Sequence, residues 1–232
     1  MEVSAVKPRL LRKETKSMKI NFKKLAAILM AATFSLMLAA CGAQGAQNEK
    51  SSAKSEGTTK KSKIVVAYFS RADENYGVGV ITEGNTSILA KMIAEKTGAD
   101  LFEIKPAKAY PKEYKPATEI AKTEKEEKAR PEIVGTLPDM EKYDVVFLGY
   151  PIWWSDLPMA VYTFLEKENF KGKTIIPFCT HEGSGIGNTE QFIKDTTKAN
   201  MKQGFEMRGA TAQNSRDEAK TEIENWLKSI GY

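Results

Sequence analysis

Two adjacent tryptophans, Trp153 and Trp154, follow the apolar run Asp144-Val-Val-Phe-Leu-Gly-Tyr-Pro-Ile and stand just before a helix start at Leu157-Pro158. The run is too short for a helix and rich in β-branched and aromatic residues, so it reads as a strand buried on both faces of a parallel sheet. A tryptophan pair more often packs than binds. At the carboxyl end of such a strand, however, it stands where open parallel sheets hold their ligands. A second polar segment, Thr180-His181-Glu182-Gly183-Ser184-Gly185, follows another apolar run. Its glycines let backbone amides and carbonyls approach the heteroatoms of a planar ring. A third, Gly84-Asn85-Thr86-Ser87, opens a helix and follows Ser70-Arg71 at the end of the first apolar run. The free amides of a helix start make an anion site, and the same residues also serve as a plain N-cap. The chain has no Gly-x-x-x-x-Gly-Lys pattern, which argues against an ATP-hydrolysing phosphate loop. His181, its only histidine, is the obvious proton donor if the chemistry needs one.

These segments need strands and helices to position them, and the periodicity supplies both. Ile64 to Phe69, Leu101 to Ile104, the Asp144 run, Thr174 to Phe178 and a weak Gly204 to Met207 read as strands. Pro177 lacks a ladder donor and argues against a central place for its strand. Helices are expected over Thr86 to Thr97, after Pro158, over Asn188 to Asn200, and from Ser215 to Ile230. Asp156 should cap the second of these, and a capping box from Ser215 to Glu218 should open the last. Tyr110 to Val134 is rich in Lys and Glu and carries no sustained apolar stripe, so it reads as a solvated helix in an elaborated crossover. Strands alternating with helices in this order predict an α/β three-layer sandwich.

Charge and cysteine usage place the rest of the chain. The formal charge of +5 comes from the start: residues 1 to 40 carry eight Lys/Arg against two Asp/Glu, while residues 41 to 232 hold 27 basic and 28 acidic groups. The folded part therefore gives no electrostatic case for nucleic acid. Leu25 to Ala40 is almost wholly apolar, shorter than a spanning helix needs, and ends in small residues as a secretory signal does. Its end, Leu38-Ala39-Ala40-Cys41-Gly42, resembles the lipobox of bacterial lipoproteins. That resemblance implies a diacylglyceryl thioether on Cys41, a lipid anchor and an extracytoplasmic location; the alternative is an uncleaved membrane anchor. Met1 and Met18 are alternative starts, since Met18 to Cys41 already forms a complete signal. Residues 41 to 62 contain a Lys, Ser, Thr and Glu run that reads as a flexible tether, and the folded domain is expected over 63 to 232. Cys179, inside a strand, is most simply a small buried hydrophobe.

Taken together, strand-Ser70-Arg71, Gly84-Asn85-Thr86, Gly149-Tyr-Pro-Ile-Trp-Trp154 and Pro177-Phe-Cys-Thr-His-Glu-Gly-Ser184 resemble the flavodoxins, above all the short bacterial flavodoxin-like proteins. The resemblance implies a five-stranded parallel sheet of order 2-1-3-4-5 with FMN at its switch point. By it, Ser70, Arg71, Asn85, Thr86 and Ser87 would wrap the FMN phosphate. Pro151, Ile152, Trp153 and Trp154 would flank the isoalloxazine, and Thr180, His181, Glu182, Gly183, Ser184 and Gly185 would bond its polar edge. The family runs Ser-x-Thr-Gly-Asn-Thr without interruption. Here Ala72 to Glu83 intervene and Glu83 replaces the Thr, so Glu83 must point away from the dianion or Thr82 must substitute. The insert, with Asn75, Tyr76, Gly77 and Gly79, is a candidate lid over the flavin. Glu182 and Asp156 are the carboxylates placed to disfavour a reduced, anionic flavin.

The implied function is electron transfer outside the cytoplasmic membrane, to a redox partner protein or a small-molecule acceptor, with no catalytic side chain required. An NAD(P)H-dependent quinone reductase using His181 is the alternative. A flavin-free lipoprotein serving as a docking or ligand-binding module is a third reading, supported by Glu83 and the insert.

Overall fold

The computed structural model describes residues 63–232; the expected signal segment, Cys41 and the tether lie outside them. Five core strands form a parallel sheet: β1 (Ile64–Tyr68), β4 (Asp100–Glu103), β5 (Val145–Pro151), β6 (Thr174–His181) and a fifth strand in two pieces, β7 (Asn200–Met201) and β8 (Phe205–Arg208). The order is β4-β1-β5-β6, with β7 and β8 both beside β6, which is the 2-1-3-4-5 arrangement.

The alternation of side chains along each central strand feeds two cores. Val65, Ala67, Val146, Leu148, Tyr150, Ile175 and Cys179 face one side. They meet Ala160, Val161, Phe164 and Leu165 of α3 (Met159–Lys167) and Ile193 of α4 (Thr189–Thr197). Val66, Tyr68, Val145, Phe147, Ile176 and Phe178 face the other. They meet Leu89, Ala90 and Ile93 of α1 (Asn85–Thr97) and Ala219, Ile223, Trp226 and Leu227 of α6 (Arg216–Ser229). A strand buried on both faces has to be apolar at every position, which is why these runs are continuous in sequence. The molecule is thus an α/β three-layer sandwich. No helix among the described residues is long and apolar enough to cross a membrane.

Pro177 does sit in a central strand, paired with Leu148 of β5. Successive residues of β6 turn their backbone groups to opposite neighbours: the Thr174 amide bonds Asp144 of the β5 side, and the Ile175 carbonyl accepts from Lys202 on the other. Pro177 shares the side of Ile175. There it faces the interval between Met201 and Phe205 where the fifth strand is broken, so the missing donor costs nothing.

Several local expectations are corrected. The long acidic and basic stretch forms a helix only over α2 (Tyr114–Glu126), with Pro106 bridged to Ile133 in the connections around it. Ser215 precedes α6 but makes no side-chain cap bond, because α5 (Gly209–Asn214) runs into it and delivers it with φ −131° and ψ 56°. Asp156 is not the cap of α3, which Pro158 precedes. Its carboxylate instead accepts from the Leu157 amide and the Tyr162 hydroxyl. The insert after Arg71 folds as an antiparallel hairpin, β2 (Asp73–Asn75) and β3 (Gly79–Ile81).

Candidate functional site

A cavity of about 550 Å³ opens at the carboxyl ends of β1, β5 and β6, a volume in the range of small-molecule sites. Of the residues singled out by sequence, Arg71, Asn85, Pro151, Ile152, Trp153, Trp154, Thr180, His181, Glu182 and Ser184 line it. Ser70, Thr86, Ser87, Gly183 and Gly185 adjoin these residues in the chain but are not part of its lining. Asn75 and Tyr76 of the insert, expected as part of a lid, line it too, and the wall also includes residues that the sequence did not single out: Tyr114, Ala117, Thr118 and Ala121 of α2, and Ser155. Ala117 and Ala121 lie four apart on one helical face and are buried. Small residues at that spacing are the one sequence signal that α2 turns a face inward.

The α1 end of the cavity is built to leave amides open. Gly84 is the N-cap and supplies no side chain, and a Cβ on it would come 2.2 Å from the Ser70 hydroxyl and 2.6 Å from the Arg71 carbonyl. Ser70 Oγ accepts from the Ser87 amide at 3.0 Å. The amides of Asn85 and Thr86 have no hydrogen-bond partner among the described residues. The Asn85 amide group is held by Gln213, whose Nε2 donates to Asn85 Oδ1 at 2.9 Å and to the Glu83 carbonyl at 2.6 Å. Gln213 sits in the unpredicted α5, so no local pattern marked it. Glu83 turns away from the cavity, bonded by Lys91 at 2.7 Å and Arg216 at 3.4 Å. Burial alone would raise its carboxyl pKa, but these cations more than offset it and hold it below the usual value. Arg71 donates to the carbonyls of Glu74, Pro111 and Lys112, while its buried Nε has no partner among the described residues.

The tryptophan wall is a strained turn. Trp154 and Ser155 have φ of 52° and 62°, and Trp153 and Asp156 exchange backbone bonds of 2.9 and 3.0 Å across them. Positive φ at both central residues is the type I′ arrangement, which normally recruits Asn-Gly. A bulky aromatic there costs of order 1 kcal/mol and marks a functional position more often than a structural one. Trp153 is wedged edge-on between Phe69 at 5.2 Å and Tyr110 at 5.1 Å. Trp154 is 49% exposed and is steadied from α2, its Nε1 donating to the Thr118 carbonyl at 3.0 Å and its own carbonyl accepting from Lys125.

On the third wall the Thr180 hydroxyl is bonded to that of Thr86 at 2.8 Å, both residues buried, which joins the ends of β6 and α1. His181 Nδ1 accepts from the Gly183 amide at 2.9 Å. Burial, with Arg208 adding to it, lowers the His181 pKa against the opposing pull of Glu206. The Glu182 carboxyl is raised by burial, although the Ala210 and Gly209 amides and Arg208 act against the rise, and its Oε1 has no hydrogen-bond partner among the described residues. Burial also pushes the Cys179 thiol well up, so it is a packing residue.

A family model described as Flavodoxin matches residues 63–230. Flavodoxin 1 of Escherichia coli K12 is 28% identical over 138 residues, covering 55% of this chain and 58% of that protein. The chain therefore spans less than two thirds of the curated relatives it matches. A solved structure of a candidate flavoprotein from Bacteroides eggerthii is 34% identical, with a TM-score of 0.59, over 74% of this chain and 99% of its own. A Lactobacillus acidophilus flavoprotein in complex with FMN, 17% identical with a TM-score of 0.50 over 66% of this chain and 97% of its own, shares the fold. With the parallel sheet, its switch-point cavity and a family match spanning almost every described residue, the chain belongs to the flavodoxin family.

Proposed function

We propose that this chain binds FMN in the cavity and transfers electrons outside the cytoplasmic membrane, tethered through a lipidated Cys41. The observation that carries the cofactor is the pairing of open amides at the start of α1 with an aromatic turn at the end of β5, on one cavity. The Arg71 Nε, without a partner among the described residues, and the side-chain-free Gly84 fit a phosphate-bearing ligand, and the Trp153–Trp154 turn fits a planar ring. When bound, FMN supplies the redox chemistry.

The residues then divide the work. Asn85 and Thr86 would hold the phosphate by their amides, with Asn85 oriented by Gln213. Glu83 is kept off the dianion by Lys91 and Arg216, which removes the need for Thr82 to substitute. Ser70 and Ser87 support the α1 start from behind. Pro151 to Trp154 would cover the ring, and the backbone from Thr180 to Gly185 would bond its polar edge. Glu182 faces the cavity and is the carboxylate placed to tune the flavin. Asp156 is not, since it is committed to Leu157, Tyr162 and Lys125. His181 is held toward its neutral form with Nδ1 occupied, which favours a hydrogen-bonding role over that of a reductase proton donor. The electron acceptor, whether a partner protein or a small molecule, approaches the open mouth.

The test is FMN titration of the full chain, with Trp153→Ala and Trp154→Ala beside it. The expected result is a yellow wild-type protein and at least one variant weakened about tenfold or more, the loss of one stacked ring. A colourless protein that takes up no added FMN would refute the reading and leave the flavin-free binding module. Membrane fractionation of wild type against Cys41→Ser tests the anchor. Equal partitioning of the two would refute it.

A further inference from the structure

The insert of residues 72–83 puts a hairpin on the rim of the cavity, and its two ends are held very differently. Its base is fastened to the start of α2. The Glu74 carboxylate accepts the Tyr114 amide at 2.8 Å, the Glu74 amide donates to the Lys112 carbonyl at 3.1 Å, and Arg71 bonds the carbonyls of Glu74, Pro111 and Lys112. Its tip is free of such bonds among the described residues. Tyr76 is 65% exposed, and Gly77 and Gly79 flank Val78 with φ of 79° and 72°. The tip also reaches across to the third wall, since a Cβ on Gly77 would lie 2.9 Å from the Glu182 carboxyl carbon.

The walls of the cavity are chemically unequal. One carries Trp153 and Trp154. The other, Thr180 to Ser184, has its Thr180 hydroxyl bonded to Thr86 and its His181 Nδ1 bonded to the Gly183 amide, and it offers no apolar ring. Yet the three exposed aromatics among the described residues, Tyr76, Tyr114 and Trp154, all line this one cavity. The Tyr76 ring leans on Tyr114 of α2, with centroids 6.0 Å apart, while the next residue, Gly77, approaches Glu182, so the tip spans the mouth from α2 to the bare wall. We infer that Tyr76 is a ring-contacting residue of the flavin site, carried by a tip that closes over the cavity mouth between α2 and the Thr180–Ser184 wall while Arg71 and Glu74 hold the hairpin base still. This rests on the FMN reading above.

The experiment compares wild type, Tyr76→Ala and Tyr76→Phe as full chains. FMN affinity is measured by titration, and hydrogen exchange of residues 76–80 is followed with and without FMN. Tyr76 is largely exposed, so circular dichroism should show all three equally folded. Tyr76→Ala should bind about tenfold more weakly, Tyr76→Phe should match wild type because the ring and not the hydroxyl is used, and FMN should slow exchange at the wild-type tip. Wild type and Tyr76→Ala binding FMN equally, with tip exchange unchanged by FMN, would overturn the inference and leave the cofactor reading intact. No uptake of FMN by wild type would overturn both.

Discussion

Gly149, in the strand that leads into the tryptophan turn, has no room for a Cβ, and replacing it with Ala is a direct test of how β5 and β6 support the site. A Cβ there would come 2.2 Å from Phe178 Cζ and 2.5 Å from its Cε2. The two residues face each other in register between β5 and β6, and Phe178 is fully buried. The ring cannot swing aside without disturbing the Phe147 and Met207 side of the core. Overpacking at such a site costs about 3 kcal/mol, the upper end of the usual range. Roughly 1 kcal/mol returns because Ala loses less freedom than Gly on folding. The net is about 2 kcal/mol, or about 4–8 °C in Tm for a domain of this size. Thermal and urea unfolding should show that drop, and Phe178→Leu in the same chain should recover about 1 kcal/mol beyond additivity by freeing the space. A Gly149→Ala loss below about 0.5 kcal/mol, or strict additivity of the pair, would refute the argument.

The strained turn should separate stability from binding: Trp154→Asn with Ser155→Gly installs the preferred type I′ pair and should raise stability by about 1 kcal/mol while weakening FMN uptake, and a lowered Tm would contradict it. Because Glu83 has a folded pKa below its unfolded one, its charge contributes stability above the ordinary carboxylate range that is lost as pH falls through the folded value. Glu83→Gln should therefore be less stable than wild type at pH 7 and converge with it in acid, whereas a constant gap in urea titrations at both pH values would show that the Lys91 and Arg216 pairs are not responsible. In a Cys41→Ser chain, Cys179 should react with a thiol reagent only at the rate of global unfolding, and fast labelling of the native protein would show that β6 is more open than its burial implies.

Much of the architecture was written in local patterns. Strands buried on both faces must be continuously apolar, and the helices that cover them must place apolar residues three and four apart, so the sheet and α1, α3 and α6 were legible without a structure. The family resemblance placed the three loops because they follow directly from strand ends. What local patterns could not show are elements held by distant partners. The hairpin strands are three residues each and gain their footing from Lys112 and Tyr114, about forty positions away. The inward face of α2 is made of alanines, which leave no apolar stripe to read. The capping role expected of Ser215 failed because α5 set its backbone first.

The sequence by itself determined the sandwich, the strand ends and the residue types gathered there, since burial and periodicity act over neighbouring residues. Only the tertiary structure decided which of those side chains face the cavity. It turned Glu83 toward Lys91 and Arg216, tied Thr180 to Thr86, withdrew Asp156 and brought Tyr76 to the rim, because each of those choices depends on hydrogen bonds or close approaches between segments far apart in the chain.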